Sequence, residues 1–208
     1  MAEQACVAII AVNERRRCKT RLDGLLGPDG RVELARAMLD RVLAAVRAVP
    51  GLDAVLVVSP ERDRVPDCIP VLHDSGDDLN AAMDAGRREA VARGARELLA
   101  LPADLPLLRP VDVVRLLAAG RRSGVAIAMD RRCLGTNGLY LPAGMPFGFR
   151  FGAGSCARHE AEATRLGLGV RRVRSPGLLA DLDTAEDLPD ILARPRVGER
   201  LPFAVAAS

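Results

Sequence analysis

A chain of 208 residues with 49% hydrophobic content is long enough to bury one sizeable core, and it is read as one domain, 1–193, followed by an irregular tail, 194–208. The formal net charge of +3 is small, the basic residues are dispersed and aromatics make up only 2%, which argues against duplex or single-stranded nucleic acid as a partner. Five cysteines without a Cys-x-x-Cys pair, no basic leader and no bilayer-spanning run predict a cytoplasmic protein with reduced thiols, without a zinc site, a disulfide frame or a membrane segment.

Residues 6–12 are apolar and β-branched, the pattern of a buried first parallel strand. They lead into a polar, cationic stretch, 13–22, in the place where a doubly wound sheet usually receives a phosphate chain. Lys19 and Arg21 are suited to neutralise a triphosphate there, with Thr20 and backbone N–H groups as further donors; a solvated basic loop is the plainer alternative. Lys19 is the only lysine among 30 basic residues, which marks a place for a compact, flexible ammonium over a planar guanidinium. Neither a P-loop nor a dinucleotide glycine fingerprint occurs.

The stripe Val32, Leu34, Ala35, Met38, Leu39, Val42, Leu43 and Val46 predicts an amphipathic helix over 31–48. Strands follow at 54–58 and 68–72, the second weakened by Pro70. Such alternation of strand and helix predicts a parallel sheet. The acidic turn at 73–80 opens a helix to about residue 93, with Asp77 or Asp78 as its cap. Asn80 at that helix start has an amide able to donate and accept on a base edge. His73 reads as a surface or structural residue and not as a catalyst.

The run 98–101 is read as a buried central strand that stops at Pro102. Pro102 and Pro106 stiffen the turn holding Asp104, and ligands of open α/β sheets bind outside the carboxyl ends of strands, so Asp104 points into a site. Capping of a helix starting near Pro110 explains the same carboxylate equally well. A helix at 111–118 and a strand at 125–129 lead to Gly135-Thr136-Asn137-Gly138. This turn either lets a ligand approach the backbone beside two short polar groups or is an ordinary glycine turn.

Residues 147–155 set three phenylalanines around three glycines ahead of a helix at 156–166. With Ser155 as N-cap this is a candidate pocket for a phosphate or carboxylate, and His159 either reaches that anion or packs. After a strand at 168–173, Asp181 and Asp183 alternate and would share one side of an extended segment. Thr184 and Asp187 form a capping box, the plain account of this acidic cluster. Mg²⁺ is held by one or two carboxylates plus substrate phosphates, a role that suits Asp104 and Asp183. A cationic loop, separated carboxylates and an anion site, without a Ser-His-Asp arrangement, fit attack on a nucleoside triphosphate. A metal-dependent glycosyltransferase or a non-catalytic nucleotide-binding module would use many of the same parts.

Six stretches, taken together and in order, resemble a known family over most of the chain. They are Lys19-Thr20-Arg21-Leu22, Leu79-Asn80-Ala81-Ala82, Pro102-Ala103-Asp104-Leu105-Pro106, Gly135-Thr136-Asn137, Phe151-Gly152-Ala153-Gly154-Ser155 with His159, and Asp183-Thr184 with Asp187-Leu188. The family is the guanylyltransferases of coenzyme F-420 biosynthesis, related in fold to the molybdenum-cofactor guanylyltransferases. The resemblance implies an α/β fold with an open, mostly parallel sheet flanked by helices, a Rossmann-like nucleotidyltransferase of nucleotide-diphospho-sugar transferase type. It implies GMP transfer from GTP to a phosphorylated three-carbon acid (3-phospho-D-glycerate, phosphoenolpyruvate or 2-phospho-L-lactate), release of pyrophosphate, and Mg²⁺ as cofactor.

By the same resemblance Asp104 and Asp183 hold the metal; catalysis is assigned to them together with Lys19 and Arg21, whose charge suits stabilisation of the departing pyrophosphate. Lys19, Thr20, Arg21, Leu79, Asn80, Pro102 and Asp104 bind the nucleotide, and Thr136, Asn137, Gly152, Gly154 and Ser155 bind the acid. The product would be handed over to the downstream transferase of the pathway; the oligomeric state, monomer or homodimer, stays open. A molybdenum-cofactor guanylyltransferase is the neighbouring alternative. The chain departs from the family at Arg131-Arg132-Cys133-Leu134, where a glycine-rich approach to Gly135 is usual, and this leaves the identity of the acid open.

Overall fold

The computed structural model describes residues 6–12, 19–74 and 78–189. The first part of the cationic loop with Asn13, Asp77 as a possible cap, and the tail with its boundary at residue 193 lie outside the described residues. Seven strands form one sheet: β1 (Cys6–Ala11), β2 (Ala54–Ser59), β3 (Val71–His73), β4 (Glu97–Pro102), β5 (Val125–Met129), β6 (Thr136–Pro142) and β7 (Val170–Val173). Their order is β3-β2-β1-β4-β6-β5-β7. Every pairing is parallel except those of β6, which runs antiparallel to β4 and β5. Among the described residues, the helices flanking the sheet are α1 (Pro28–Arg47), α2 (Leu79–Ala92), α3 (Pro110–Ser123) and α4 (Ser155–Arg165).

Both faces of the sheet are covered, which is why β1 is apolar at every position and wholly buried. Successive residues of β1 and β4 turn to opposite faces. Ala8, Ile10, Leu99 and Leu101 pack under α1 and α3, with Leu39, Val42, Val113 and Leu116 above them. Val7, Ile9, Leu98 and Ala100 face Met83 of α2, Cys156 and Ala163 of α4, and the rings of Phe147, Phe149 and Phe151. Strand order reverses between β1 and β4, and a crevice at the carboxyl ends of the strands beside such a reversal is where α/β sheets bind ligands. The last residues of the two strands, Ala11 and Pro102, are register partners. No helix among the described residues is long and apolar enough to cross a membrane.

The expected elements are present, with boundaries that differ for physical reasons. α1 begins at Pro28 instead of 31, because proline is at home in the first helical turn, where its missing N–H costs nothing. α3 likewise starts at Pro110 and continues to Ser123, past Gly120. That glycine is a packing position, not a breaker: a Cβ there would collide with the Tyr140 ring. The N-terminus of α3 is closed by Asp112, whose Oδ2 accepts the Arg109 N–H at 3.0 Å, so Asp104 is not its cap. Asp78 caps α2, accepting the Asn80 N–H at 2.8 Å. β6 extends back to Thr136, where a turn was expected. Gly154, at φ 68°, caps α4, and Ser155 is its first residue instead of its cap.

Candidate active site

Lys19 has a left-handed backbone, φ 50°, and its carbonyl accepts the Leu22 N–H at 2.9 Å to close a short 3-10 turn over Thr20–Leu22. This drives Leu22 into a small cluster with Leu34, Met38, Ala180 and Leu182, all buried. Leu182 immediately precedes Asp183, and its N–H donates to the Asp104 carbonyl at 3.2 Å. Three segments remote in sequence are thus fixed to one another by apolar burial and one peptide hydrogen bond, and each carries one polar side chain toward the crevice.

Those side chains meet. Lys19 Nζ lies 2.7 Å from Asp104 Oδ2 and 2.8 Å from Asp183 Oδ1. The lysine side chain is only 9% exposed, while Asp183 is half exposed. Burial works against the ammonium, but the two carboxylates outweigh it and hold its pKa above the ordinary lysine value. Burial also opposes ionisation of Asp183; the Lys19 charge and hydrogen bond prevail and pull its carboxyl below the usual range. The second oxygen of Asp104, Oδ1, is buried and has no hydrogen-bond partner. Nearby, burial and then the Asp104 charge push Asp181 up to about 6, although its Oδ1 accepts Asn137 Nδ2 at 3.2 Å.

A cleft of about 350 Å³ opens over this group. It is lined by Lys19, Thr20, Arg21, Leu79, Pro102, Asp104 and Asp183, so all but one of the residues expected to handle nucleotide and metal share one wall. The exception is Asn80. Its Oδ1 accepts the Phe151 N–H at 2.6 Å and its Nδ2 donates to the Phe151 carbonyl at 3.4 Å, so the amide edge expected to face a base is engaged with a backbone peptide. The cleft also includes Arg64, a buried guanidinium that the sequence does not distinguish among so many arginines.

The residues expected to bind the acid form a second, adjoining group outside that lining. Thr136 and Asn137 are buried at the start of β6, and the Thr136 hydroxyl lies 3.0 Å from His159 Nδ1. His159 Nε2 accepts the Arg150 N–H at 2.9 Å, so the neutral ring carries its proton on Nδ1 and donates it to Thr136. Burial lowers the His159 pKa to about 4, with Arg158 and Arg150 adding to the effect. The ring is fully buried against Phe147 and Phe151, so packing and loop support is its role here. Gly152 (φ 110°) and Gly154 turn the loop in conformations that favour glycine. At the start of α4, the Ser155 N–H donates to the Gly152 carbonyl and the Cys156 N–H to that of Leu134.

The loop before α4 lacks regular structure, yet side chains from both flanking helices satisfy its backbone. Arg87 donates to the Met145 and Phe147 carbonyls, and Glu162 accepts the Gly148 N–H. Asp104 and Asp183 are brought together; among the described residues, no three His, Cys, Asp or Glu side chains are grouped to hold a metal by themselves. A cation here needs oxygen ligands from substrate as well.

The family model described as guanylyl transferase CofC like matches residues 6–196. The chain is 44% identical over 188 residues to the phosphoenolpyruvate guanylyltransferase of Rubrobacter xylanophilus, covering 87% of this chain and 90% of the relative. It is 38% identical over 196 residues to the enzyme of the same name from Sphaerobacter thermophilus, covering 92% and 95%. Among solved structures, a protein of Desulfovibrio desulfuricans G20 named for the nucleotide-diphospho-sugar transferases superposes with a TM-score of 0.73 over 92% of this chain and 87% of that one, at 18% identity.

Proposed function

The chain belongs to the CofC-like guanylyl transferase family and is a nucleotidyltransferase, and we propose that it transfers GMP from GTP to phosphoenolpyruvate, releasing pyrophosphate, in coenzyme F-420 biosynthesis in the cytoplasm. The observation that carries this reading is the meeting of Lys19, Asp104 and Asp183 in the cleft at the β1/β4 reversal, in a chain whose relatives are named for this transfer.

The nucleotide occupies the cleft with its phosphates over Lys19, Thr20 and Arg21, and the acid lies on the side of Thr136, Gly152 and Ser155. A phosphate oxygen of the acid attacks the α-phosphorus of GTP in line. The new P–O bond forms as the bond from the α-phosphorus to the bridging oxygen breaks, and pyrophosphate leaves with that electron pair. The attacking phosphate is already ionised at neutral pH, so no side chain has to remove a proton. What the protein supplies is orientation and positive charge where negative charge moves onto the leaving group. The buried, unpartnered Asp104 Oδ1 and the half-exposed Asp183 carboxylate fit a hard cation, and we assign Mg²⁺ to them. Bound Mg²⁺ supplies neutralisation of the phosphate charge.

The test is a matrix of four nucleoside triphosphates against phosphoenolpyruvate, 3-phospho-D-glycerate and 2-phospho-L-lactate with Mg²⁺, scored for pyrophosphate. Release with GTP and phosphoenolpyruvate supports the proposal; release with another acid alone replaces the acceptor. No release in any well, with GTP still bound, leaves a binding module in place of an enzyme acting on these substrates.

A further inference from the structure

The segment that delivers Asp183 joins no strand of the sheet; beyond the Leu182 peptide bond to Asp104 and the burial of Leu182, side-chain hydrogen bonds orient it. Asp187 does so with one oxygen: its Oδ2 accepts the Asp183 N–H at 2.9 Å, the Thr184 N–H at 2.7 Å and the Thr184 hydroxyl at 3.0 Å. The 3-10 turn closed this way, Ala185–Asp187, leads directly into helical residues at 188–189. The other oxygen, Oδ1, is tied across the molecule to Arg131 Nη2 at 2.5 Å, 56 positions away in the β5–β6 connection. Both side chains are mostly shielded, 25% and 13% exposed, where a charge-assisted bond is stronger than at an open surface. The start of β6, which follows that connection, also holds the other end of the segment, through Asn137 and Asp181.

We propose that Arg131 is a positioning residue for Asp183. By fixing one oxygen of Asp187 it sets the plane of that carboxylate, and the plane of the carboxylate sets the peptide from which Asp183 projects toward Lys19. Arg131 is not among the residues lining the cleft, and its link to Asp183 runs through Asp187. The inference rests on the assignment of Asp183 to the catalytic site. It gives Arg131, which departs from the glycine-rich approach of the resembled family, a task within the molecule.

The experiment uses the full chain with Arg131→Met, Arg131→Lys and Asp183→Asn, and two readouts: Mn²⁺ binding in the presence of GTP, followed by electron paramagnetic resonance, and kcat for pyrophosphate release. Arg131→Met is expected to weaken Mn²⁺ binding by about 10–100-fold, the range for losing a residue that orients a metal ligand, and to lower kcat at unchanged KM for phosphoenolpyruvate. Arg131→Lys, which retains the charge, is expected to recover most of both. If Arg131→Met does not fold, Arg131→Gln, which keeps a donor without the charge, provides the same readouts. Wild-type activity in Asp183→Asn overturns the site assignment itself. Loss of activity in Asp183→Asn, with wild-type Mn²⁺ affinity and kcat in the Arg131 variants, overturns the positioning role alone.

Discussion

Lys19 and Asp104, 85 positions apart in the chain, meet at 2.7 Å, and the ammonium that joins them also touches Asp183. A positive charge between two carboxylates occupies the place a divalent cation would take, because both answer the same concentration of negative charge. Lysine can yield that place: its charge is a compact point on a flexible four-carbon stem, and the triphosphate offers it new oxygens. If the proposed function holds, nucleotide binding is expected to draw the only lysine in the chain out of this ion pair.

Replacing this lysine separates its two roles. In Lys19→Met the carboxylates face each other without a counter-charge, which favours any cation that can replace it. Mn²⁺ binding without nucleotide, measured by titration calorimetry, is expected to tighten by roughly tenfold or more, each tenfold being about 1.4 kcal/mol. Pyrophosphate release is expected to fall by at least about 10²-fold, the usual scale for removing one electrostatic contact to a transition state. Unchanged Mn²⁺ affinity would show that the ammonium does not compete for the cation site.

Asp104 and Asp183 are expected to matter equally for activity and unequally for stability. Asp104→Asn disturbs the more deeply buried of the two carboxylates, 24% exposed, and leaves Lys19 one carboxylate short. Urea denaturation is expected to register a loss of about 2–3 kcal/mol, below the 3–5 kcal/mol typical of a fully buried pair because Asp183 still faces the ammonium. Asp183 is half exposed, so Asp183→Asn is expected to cost less than about 1 kcal/mol. Both variants are expected to lose pyrophosphate release, and a fully active Asp104→Asn enzyme would remove this carboxylate from the mechanism.

The parts of this site legible in the sequence are those where local pattern and tertiary position agree. β1 and the strand ending at Pro102 are buried on both faces, so their unbroken apolar runs announce central strands, and Lys19 and Asp104 follow directly from where those strands stop. The ends of α1 and α3 are less legible, because Pro28 sits in a first turn that tolerates proline and Gly120 continues α3 by making room for a tyrosine ring. The contact that Asn80 makes is not legible locally. Its partner, Phe151, is 71 positions away, and no local feature states that an amide at a helix start will bond a remote peptide. Arg131 and Asp187, paired across 56 positions, are hidden for the same reason.

That remote amide bond leads to a prediction about substrate selectivity. Asn80→Ala strips the Phe151 N–H of its acceptor at 2.6 Å, and a backbone group left without a partner costs about 1–3 kcal/mol. The loosened loop carries Gly152 and Gly154, so KM for the acid is expected to rise several-fold, with KM for GTP and the preference for GTP over ATP unchanged. Steady-state kinetics with each substrate varied in turn would check this. A variant that instead accepts ATP as well as GTP would return Asn80 to the reading of a base edge.

His159 gives the fold a defined acid sensitivity. Its pKa falls from the ordinary 6.5 to about 4, chiefly through burial and then through the charges of Arg158 and Arg150. Between those values the unfolded chain binds a proton that the folded chain refuses, so stability rises with pH across this window. The contribution is complete above about pH 6.5 and is lost as pH falls through about 4; the shift corresponds to about 3 kcal/mol. Protonation would place a second proton on Nε2, which now accepts the Arg150 N–H, and so would break the bond that supports the loop before α4. His159→Gln keeps a neutral amide near that position without the titration. Urea midpoints of wild type and variant are expected to converge as pH is lowered from neutral toward about 4, while parallel pH profiles would mean that the imidazole is not the group responsible.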